Sequence, residues 1–272
     1  SLDGFSMSAL AHELADALTG GRIDKINQPN KQSVILSVRQ PGKNFLLYIN
    51  TNASNPSAHL IEAAPENPAE PPTFVMLLRK QLETGRIAAV RQERRDRILH
   101  LDIDIIAGGG RFVTRTLTLE LIGKYSNIIL HEGGTIIEAL RRIGENSSRV
   151  RTVFKGVPYT LPPAQDKYDL FAADIDDIAA RVRNAGEAKI FQALISAVLG
   201  FGPVSAKEVC FLAGLAPNIP VSQLDPSDFD ALSAALTEVR AWMEQPAPSL
   251  RLDANGKVAA MAAFPLSRLP GT

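Results

Sequence analysis

One cysteine in 272 residues, Cys210, leaves no material for a disulfide framework or a Cys-x-x-Cys metal site. Its surroundings, Val209-Cys210-Phe211-Leu212, predict a small buried hydrophobe rather than an exposed, electropositive thiol. No run approaches the ~18 consecutive apolar residues of a membrane span, so no membrane partner is expected. The N-terminus lacks the charged and apolar regions of a secretory leader, which makes the cytoplasm the expected compartment. Net charge is also missing: 29 Lys and Arg balance 29 Asp and Glu, so bulk charge announces no polyanionic partner.

Catalytic signatures are absent as well. There is no Walker A loop, GxGxxG, GxSxG or HExxH, and the four histidines (His12, His59, His100, His131) fall on different predicted elements. Neither an enzyme activity, a cofactor nor a metal site is therefore expected. Asp102 and Asp104 share a strand face with His100, and the expectation for all three is a solvated polar face.

What remains is an ordinary folded composition, 45% apolar and 21% charged, with an uneven distribution. Residues 1–160 carry 20 basic against 16 acidic side chains, a net of +4; residues 161–272 carry 9 against 13, a net of −4. A mildly basic front half is permissive for nucleic acid.

Period and punctuation give the organisation. Met7, Leu10, Leu14 and Leu18 form one helical face that Gly20-Gly21 ends. Val34–Val38 and Phe45–Ile49 alternate around Pro41-Gly42 as a hairpin. Four prolines between Pro65 and Pro72 run extended into a helix with the stripe Phe74, Leu77, Leu78 and Leu82. Leu99–Ile105 and Val113–Leu121 pair across Gly108-Gly109-Gly110, and Asn127–Leu130 and Ile136–Leu140 pair across Gly133-Gly134. After the prolines at 158, 162 and 163 the texture turns helical: Ile175–Asn184, Ala188–Val198, Ser205–Ala213 and Phe229–Met243. A last hairpin is expected around Asn255-Gly256. Strands first and helices second predict an α+β chain of two domains, residues 1–172 and 173–272. The chain stops without a capping element, which suggests a piece of something longer.

Two stretches could meet phosphate. Arg79, Lys80, Arg86, Arg91, Arg94, Arg95 and Arg97 form a basic run, although Glu83, Glu93 and Asp96 are interleaved and a solvated face is the alternative. Gly200-Phe201-Gly202 before a helix either brings backbone amides to a phosphate or builds a plain αα-hairpin.

An ordered set of short strings carries a more specific signal. It comprises Leu2-Asp3-Gly4-Phe5, Gly20–Ile26 with Gln28-Pro29, Glu66-Asn67-Pro68, Pro71-Pro72, Met76–Lys80, Asp96-Arg97-Ile98, Glu120–Lys124 with Ser126–Leu130, and Pro162–Lys167. Together these resemble the NFACT family, also called after FbpA, RqcH and NEMF, from the first residue to about residue 270. The resemblance implies a β-rich domain similar to the N-terminal domain of formamidopyrimidine-DNA glycosylases. A mainly helical domain similar to their helix-two-turn-helix domain, of helix-hairpin-helix type, would follow it. It also implies a downstream coiled coil and a C-terminal RNA-binding domain, which this chain does not contain. The glycosylases' N-terminal proline nucleophile and glutamate are replaced by Ser1 and Leu2, so base excision is not expected.

The function implied is ribosome quality control: binding of large ribosomal (50S) subunits blocked by peptidyl-tRNA, and recruitment of alanyl-tRNA for untemplated alanine tailing. Implied tRNA-binding positions are Asp3, Asp96, Arg97, Glu120, Leu121 and Ile122. Phosphate contacts are expected from Arg79, Lys80, Arg94, Arg95, Lys124, Gly200 and Gly202. Ile122 stands where methionine is common in the family, and Tyr125 where histidine is common. Two alternatives are an adhesin for fibronectin or fibrinogen, after the family's historic name, and a non-catalytic DNA-binding module.

Overall fold

The computed structural model describes residues 3–146, 150–244, 249–252 and 258–262. The chain forms two compact units: residues 10–164, and residues 1–9 together with 165–272. The large sheet lies in the first and most of the helices in the second, which is the α+β arrangement the sequence predicts.

In the unit of residues 10–164, nine antiparallel strands form one sheet. They are β1 (Arg22–Asn30), β2 (Ser33–Gln40), β3 (Lys43–Asn50), β4 (Ser57–Ile61), β5 (Arg86–Gln92), β6 (Ile98–Ala107), β7 (Arg111–Glu120), β8 (Asn127–Glu132) and β9 (Thr135–Ala139). Their order is β4-β3-β2-β1-β5-β6-β7-β8-β9, two meanders joined at β1 and β5, where Arg22 pairs with Arg86. The three expected hairpins are present: β2–β3 turns at Pro41-Gly42, β6–β7 at the glycine triplet, and β8–β9 at Gly133-Gly134. Gly133 (φ 56°) and Gly134 (φ 81°) have the paired positive values of a type I′ turn, which a side chain would strain.

Strands β1, β4 and β5 carry too weak an alternation to be expected from the sequence. In β5 only Ile87 is fully buried, and a register shift after it breaks the period of two. The helix α1 (Gly4–Leu18) buries Leu10, Leu14 and Leu18, and Gln40 of β2 caps its end by donating to the Ala17 and Thr19 carbonyls. The helix α2 (Thr73–Leu82) buries Phe74, Val75, Leu78 and Leu82. Leu77, expected in that stripe, is only half-buried, and Val75 takes its place.

The unit of residues 165–272 packs α3 (Ile175–Arg183), α4 (Ile190–Ala197), α5 (Pro203–Leu212) and α6 (Pro226–Glu244) around a core that includes Phe5, Leu194, Phe201, Val209, Leu232 and Leu236. Asp174 caps α3 by accepting from the Asp176 amide at 3.0 Å. Cys210 lies fully buried in this core, and desolvation pushes its thiol up to about 12. It is the inert hydrophobe the sequence suggests. Strands β10 (Ser249–Leu252) and β11 (Val258–Ala262) pair antiparallel; the Asn255-Gly256 turn expected between them lies outside the described residues.

Candidate nucleic-acid interface

The Asp96-Arg97 pair lies in the turn between β5 and β6, immediately before Ile98, the first residue of β6. Ladder bonds close the hairpin: the Glu93 amide donates to the Ile98 carbonyl (2.9 Å) and the Asp96 amide to the Glu93 carbonyl (3.0 Å). Arg94 takes a left-handed φ of 45° to make the bend. Asp96 shapes the turn with its side chain, because its Oδ1 accepts from the Arg97 amide at 2.7 Å while its carbonyl accepts from Gln92 Nε2 at 2.8 Å. Among the described residues the Arg97 guanidinium enters no hydrogen bond or ion pair, which leaves a planar five-donor fork for an acceptor from outside.

The second implied segment lies beside the first. Ile98 pairs with Glu120 in the β6–β7 register, and the Arg97 carbonyl accepts from the Leu121 amide at 2.8 Å. Glu120 is buried. Its carboxylate receives both Arg151 Nη groups, at 2.6 and 2.9 Å, and the Tyr159 hydroxyl at 3.0 Å. Leu121 is buried and Ile122 half-buried. The chain then turns through Gly123–Tyr125, held by Ser126 Oγ on the Gly123 carbonyl and by Arg141 on the Lys124 carbonyl at 3.0 Å. Lys124 and Tyr125 project outward, with the ammonium 5.0 Å from the ring centroid and the ring 68% exposed.

Behind this surface runs a polar chain that sequence reasoning missed. His100 was expected on a solvated face, but it is only 4% exposed. Its Nδ1 lies 2.8 Å from Thr118 Oγ1, which lies 2.9 Å from His131 Nε2. With both rings neutral, the hydroxyl donates to one imidazole and accepts from the other. His100 Nε2 meets Glu93 at 3.1 Å, and Tyr159 stacks on His131 with centroids 4.5 Å apart. Desolvation holds His100 below its ordinary value and, with His100 beside it, lowers His131 to about 4. Burial and the Glu120 charge push the Tyr159 hydroxyl well above the usual phenol range. The covering residues, Arg151 and Tyr159, follow β9 in the chain. Asp102 and Asp104 behave as expected: Asp102 pairs with Arg91 and Thr116, and Asp104 accepts from Thr114.

The structure thus gathers Asp96, Arg97, Glu120, Leu121 and Ile122 at one end of the β6–β7 hairpin, with Arg94, Arg95 and Lys124 in the same two loops. Arg79 is committed elsewhere, donating to the Ile26 carbonyl (2.7 Å) and Asn27 Oδ1 (3.1 Å), while Lys80 is exposed on α2. Asp3, Gly200 and Gly202 form a second constellation within the helical unit. Asp3 caps α1 by accepting from the Ser6 amide at 2.8 Å and also accepts from the Ser205 hydroxyl of α5. The Gly4 amide donates to the Gly200 carbonyl at 2.8 Å. A Cβ on Gly202 would come within 2.9 Å of the Asp3 Cβ, so the glycine is required by that close approach.

Known proteins resemble this chain in sequence and in fold. Residues 3–272 match the model of the family described as NFACT N-terminal and middle domains. The Rqc2 homolog RqcH of Bacillus subtilis (strain 168) is 37% identical over 242 residues, covering 88% of this chain. The chain spans only 41% of that relative's length. Among solved structures, the N-terminal part of the fibronectin/fibrinogen-binding protein from Streptococcus suis superposes over all of this chain and 93% of its own, with a TM-score of 0.75 and 29% identity. The fibrinogen binding protein from Staphylococcus aureus covers 99% of this chain and 92% of its own, with a TM-score of 0.77 and 27% identity. On the family match and the Bacillus relative together, the chain belongs to the NFACT family, whose N-terminal and middle domains it comprises.

Proposed function

We propose that this chain is a non-catalytic RNA-binding part of a cytoplasmic ribosome quality control factor. In this role it engages tRNA on large ribosomal subunits blocked by peptidyl-tRNA. The observation that carries the reading is the joining of the Asp96-Arg97 turn to the Glu120–Lys124 segment by the Arg97–Leu121 hydrogen bond. Arg97 offers a fork for a phosphate or base edge, Lys124 adds a point charge, and Tyr125 offers an exposed ring on which an unstacked base can lie. The carboxylates of Glu120 and Asp3 are engaged inside their own units and act as positioning groups rather than contacts. Binding built on phosphate contacts weakens steeply with salt. Alanyl-tRNA is the tRNA we assign, for untemplated alanine addition by the full-length protein.

Gradient co-sedimentation with large subunits, followed by sequencing of the bound RNA, tests this. Enrichment of alanine tRNA in the subunit fraction is expected; absence of tRNA from that fraction would refute it.

An adhesin is the second reading, because both structural relatives are named for fibrinogen or fibronectin binding. Nanomolar affinity of surface-displayed protein for fibronectin at physiological salt would support that reading over the first.

A further inference from the structure

The β6–β7 hairpin overhangs the strands on either side of it. Its ladder with β5 reaches only to Asp104, opposite Arg86, and its ladder with β8 only to Arg115, opposite Glu132. Residues 105–113 therefore pair only with one another and project past the sheet as a two-stranded arm. One face of the arm is anchored. Ile105 is buried and packs over Gly85, where a Cβ would come within 2.7 Å of the Ile105 Cγ2. The other face is bare. Ile106 and Phe112 stand opposite each other in the register, so both project from it, and they are 69% and 80% exposed. A lone exposed apolar side chain needs no explanation, but an in-register pair on a projecting arm forms a continuous apolar platform.

Size and surroundings restrict what lies on that platform. A phenylalanine offers about 150–250 Å² and an isoleucine less, so the pair together stays below about 400 Å². A stable protein partner, or a second copy of this chain, needs ~800 Å² from each side. The flanking groups are polar. Arg111, next to the ring, is exposed, and among the described residues its guanidinium enters no hydrogen bond or ion pair. Asp104, on the other side, is engaged by the Thr114 hydroxyl. Gly108–Gly110 close the arm without side chains, and a Cβ at any of them would meet nothing within 4 Å, so the ring is open to approach from the loop end.

A ring-sized apolar platform beside an unpaired guanidinium matches one nucleobase with its phosphate. Base–aromatic stacking needs no more area than one ring, and it is tolerant of sequence because every base has a π face. A guanidinium fork bonds two phosphate oxygens at once. Resting on the RNA-binding reading above, we propose that this arm is a second RNA contact. An unstacked base of any identity lies on Phe112 against Ile106, and Arg111 holds its phosphate on the side away from the Asp104 carboxylate. β6 has 10 residues, about 30 Å at ~3.4 Å each, so the arm and the Asp96-Arg97 turn sit at opposite ends of one hairpin. The two contacts hold separate points on an RNA.

The test is NMR titration of the isotopically labelled chain with the RNA trinucleotide triadenylate, whose stacked length of about 10 Å cannot bridge the two ends. The same sugar–phosphate backbone without bases is the control. The readouts are the Ile106 methyl and Phe112 ring signals. Triadenylate is expected to shift both and to bind about tenfold tighter than the abasic control. Phe112→Leu stays apolar but loses the π face. It is expected to keep the parent Tm, because the ring is exposed, and to weaken binding about tenfold, whereas Phe112→Tyr keeps parent affinity. Arg111→Gln is expected to make the log–log salt slope shallower by about one. No shift at Ile106 or Phe112, equal binding of the abasic control, or parent affinity in Phe112→Leu would each overturn the inference. Self-association of the parent that Phe112→Leu abolishes would also overturn it, by giving the platform to a second copy. Failure here while Asp96→Ala/Arg97→Ala still loses tRNA would leave the RNA-binding reading standing. A response at Phe112 with no effect of that double variant would instead sink the proposed interface and keep the arm as a contact.

Discussion

The carbonyl of Arg97 accepts a hydrogen bond from the amide of Leu121, 2.8 Å away, across the mouth of the β6–β7 hairpin. The contact is made by backbone alone, so it fixes where the Arg97 side chain starts without consuming any of its donors. The Leu121 amide follows directly on Glu120, whose carboxylate is held by Arg151 and Tyr159. The starting point of the Arg97 side chain therefore rests on a buried ion pair at the residue before Leu121.

That ion pair should be felt in stability before it is felt in binding. Its side chains are 10% and 3% exposed, and removing one partner strands a buried charge. Glu120→Ala is expected to cost about 3–5 kcal/mol in urea unfolding. An unchanged midpoint would show that the carboxylate faces outward and contacts a ligand directly.

Asp3 serves two helices at once, capping α1 and holding the Ser205 hydroxyl at the start of α5. Asp3→Ala removes a cap worth about 1 kcal/mol and leaves a buried hydroxyl unpaired at about 1–3 kcal/mol, so a total loss of roughly 2–4 kcal/mol is expected. Gly202→Ala forces a methyl to within 2.9 Å of the Asp3 Cβ and should cost about 1–3 kcal/mol. Thermal unfolding of both variants checks this. A Gly202→Ala protein as stable as the parent would contradict the packing.

The buried imidazoles set an acid limit. His131 titrates at about 4 in the fold against about 6.5 in an unfolded chain, because burial and His100 oppose its charging. A depressed folded value means the contribution is complete above about pH 6.5 and is lost as pH falls toward 4. With His131 partly exposed and its charge screened by solvent, roughly 1–2 kcal/mol should disappear across that window, with His100 acting in the same direction. His131→Gln should flatten the dependence. Equal slopes for parent and variant in denaturant titrations between pH 7 and 4.5 would show that the ring is solvated.

Cys210 should resist a thiol-specific disulfide reagent in the native protein, since its thiol is buried and titrates at about 12. Labelling should appear only with denaturant, tracking global unfolding. Rapid labelling in native buffer would contradict the burial.

The sequence was legible where period and punctuation agree. Alternating runs around Pro41-Gly42, Gly108–Gly110 and Gly133-Gly134 gave the hairpins, and 3.6-residue periods gave the helices after residue 174. It was opaque in β1, where a register shift near Lys25 and the bulge at Gln28-Pro29 break the alternation, and in β5, where charged ends hide the single buried Ile87. The candidate surface was legible only as a set of strings. Nothing local to His100 or Thr118 shows that Tyr159 and Arg151, far along the chain, cover that face. Likewise Asp3 reads as a helix cap, while its bond to Ser205 depends on a residue most of the chain away.

The most direct measurement is tRNA affinity as a function of salt for the parent chain and for Asp96→Ala/Arg97→Ala. The parent is expected to lose affinity steeply as salt rises. The double variant should bind about tenfold more weakly, with a log–log salt slope shallower by about one and an unfolding midpoint lowered only by the lost Asp96 turn bond, worth about 0.5–1.5 kcal/mol. A double variant that keeps the parent's affinity and slope would contradict the assignment of Asp96-Arg97 as the recognition pair.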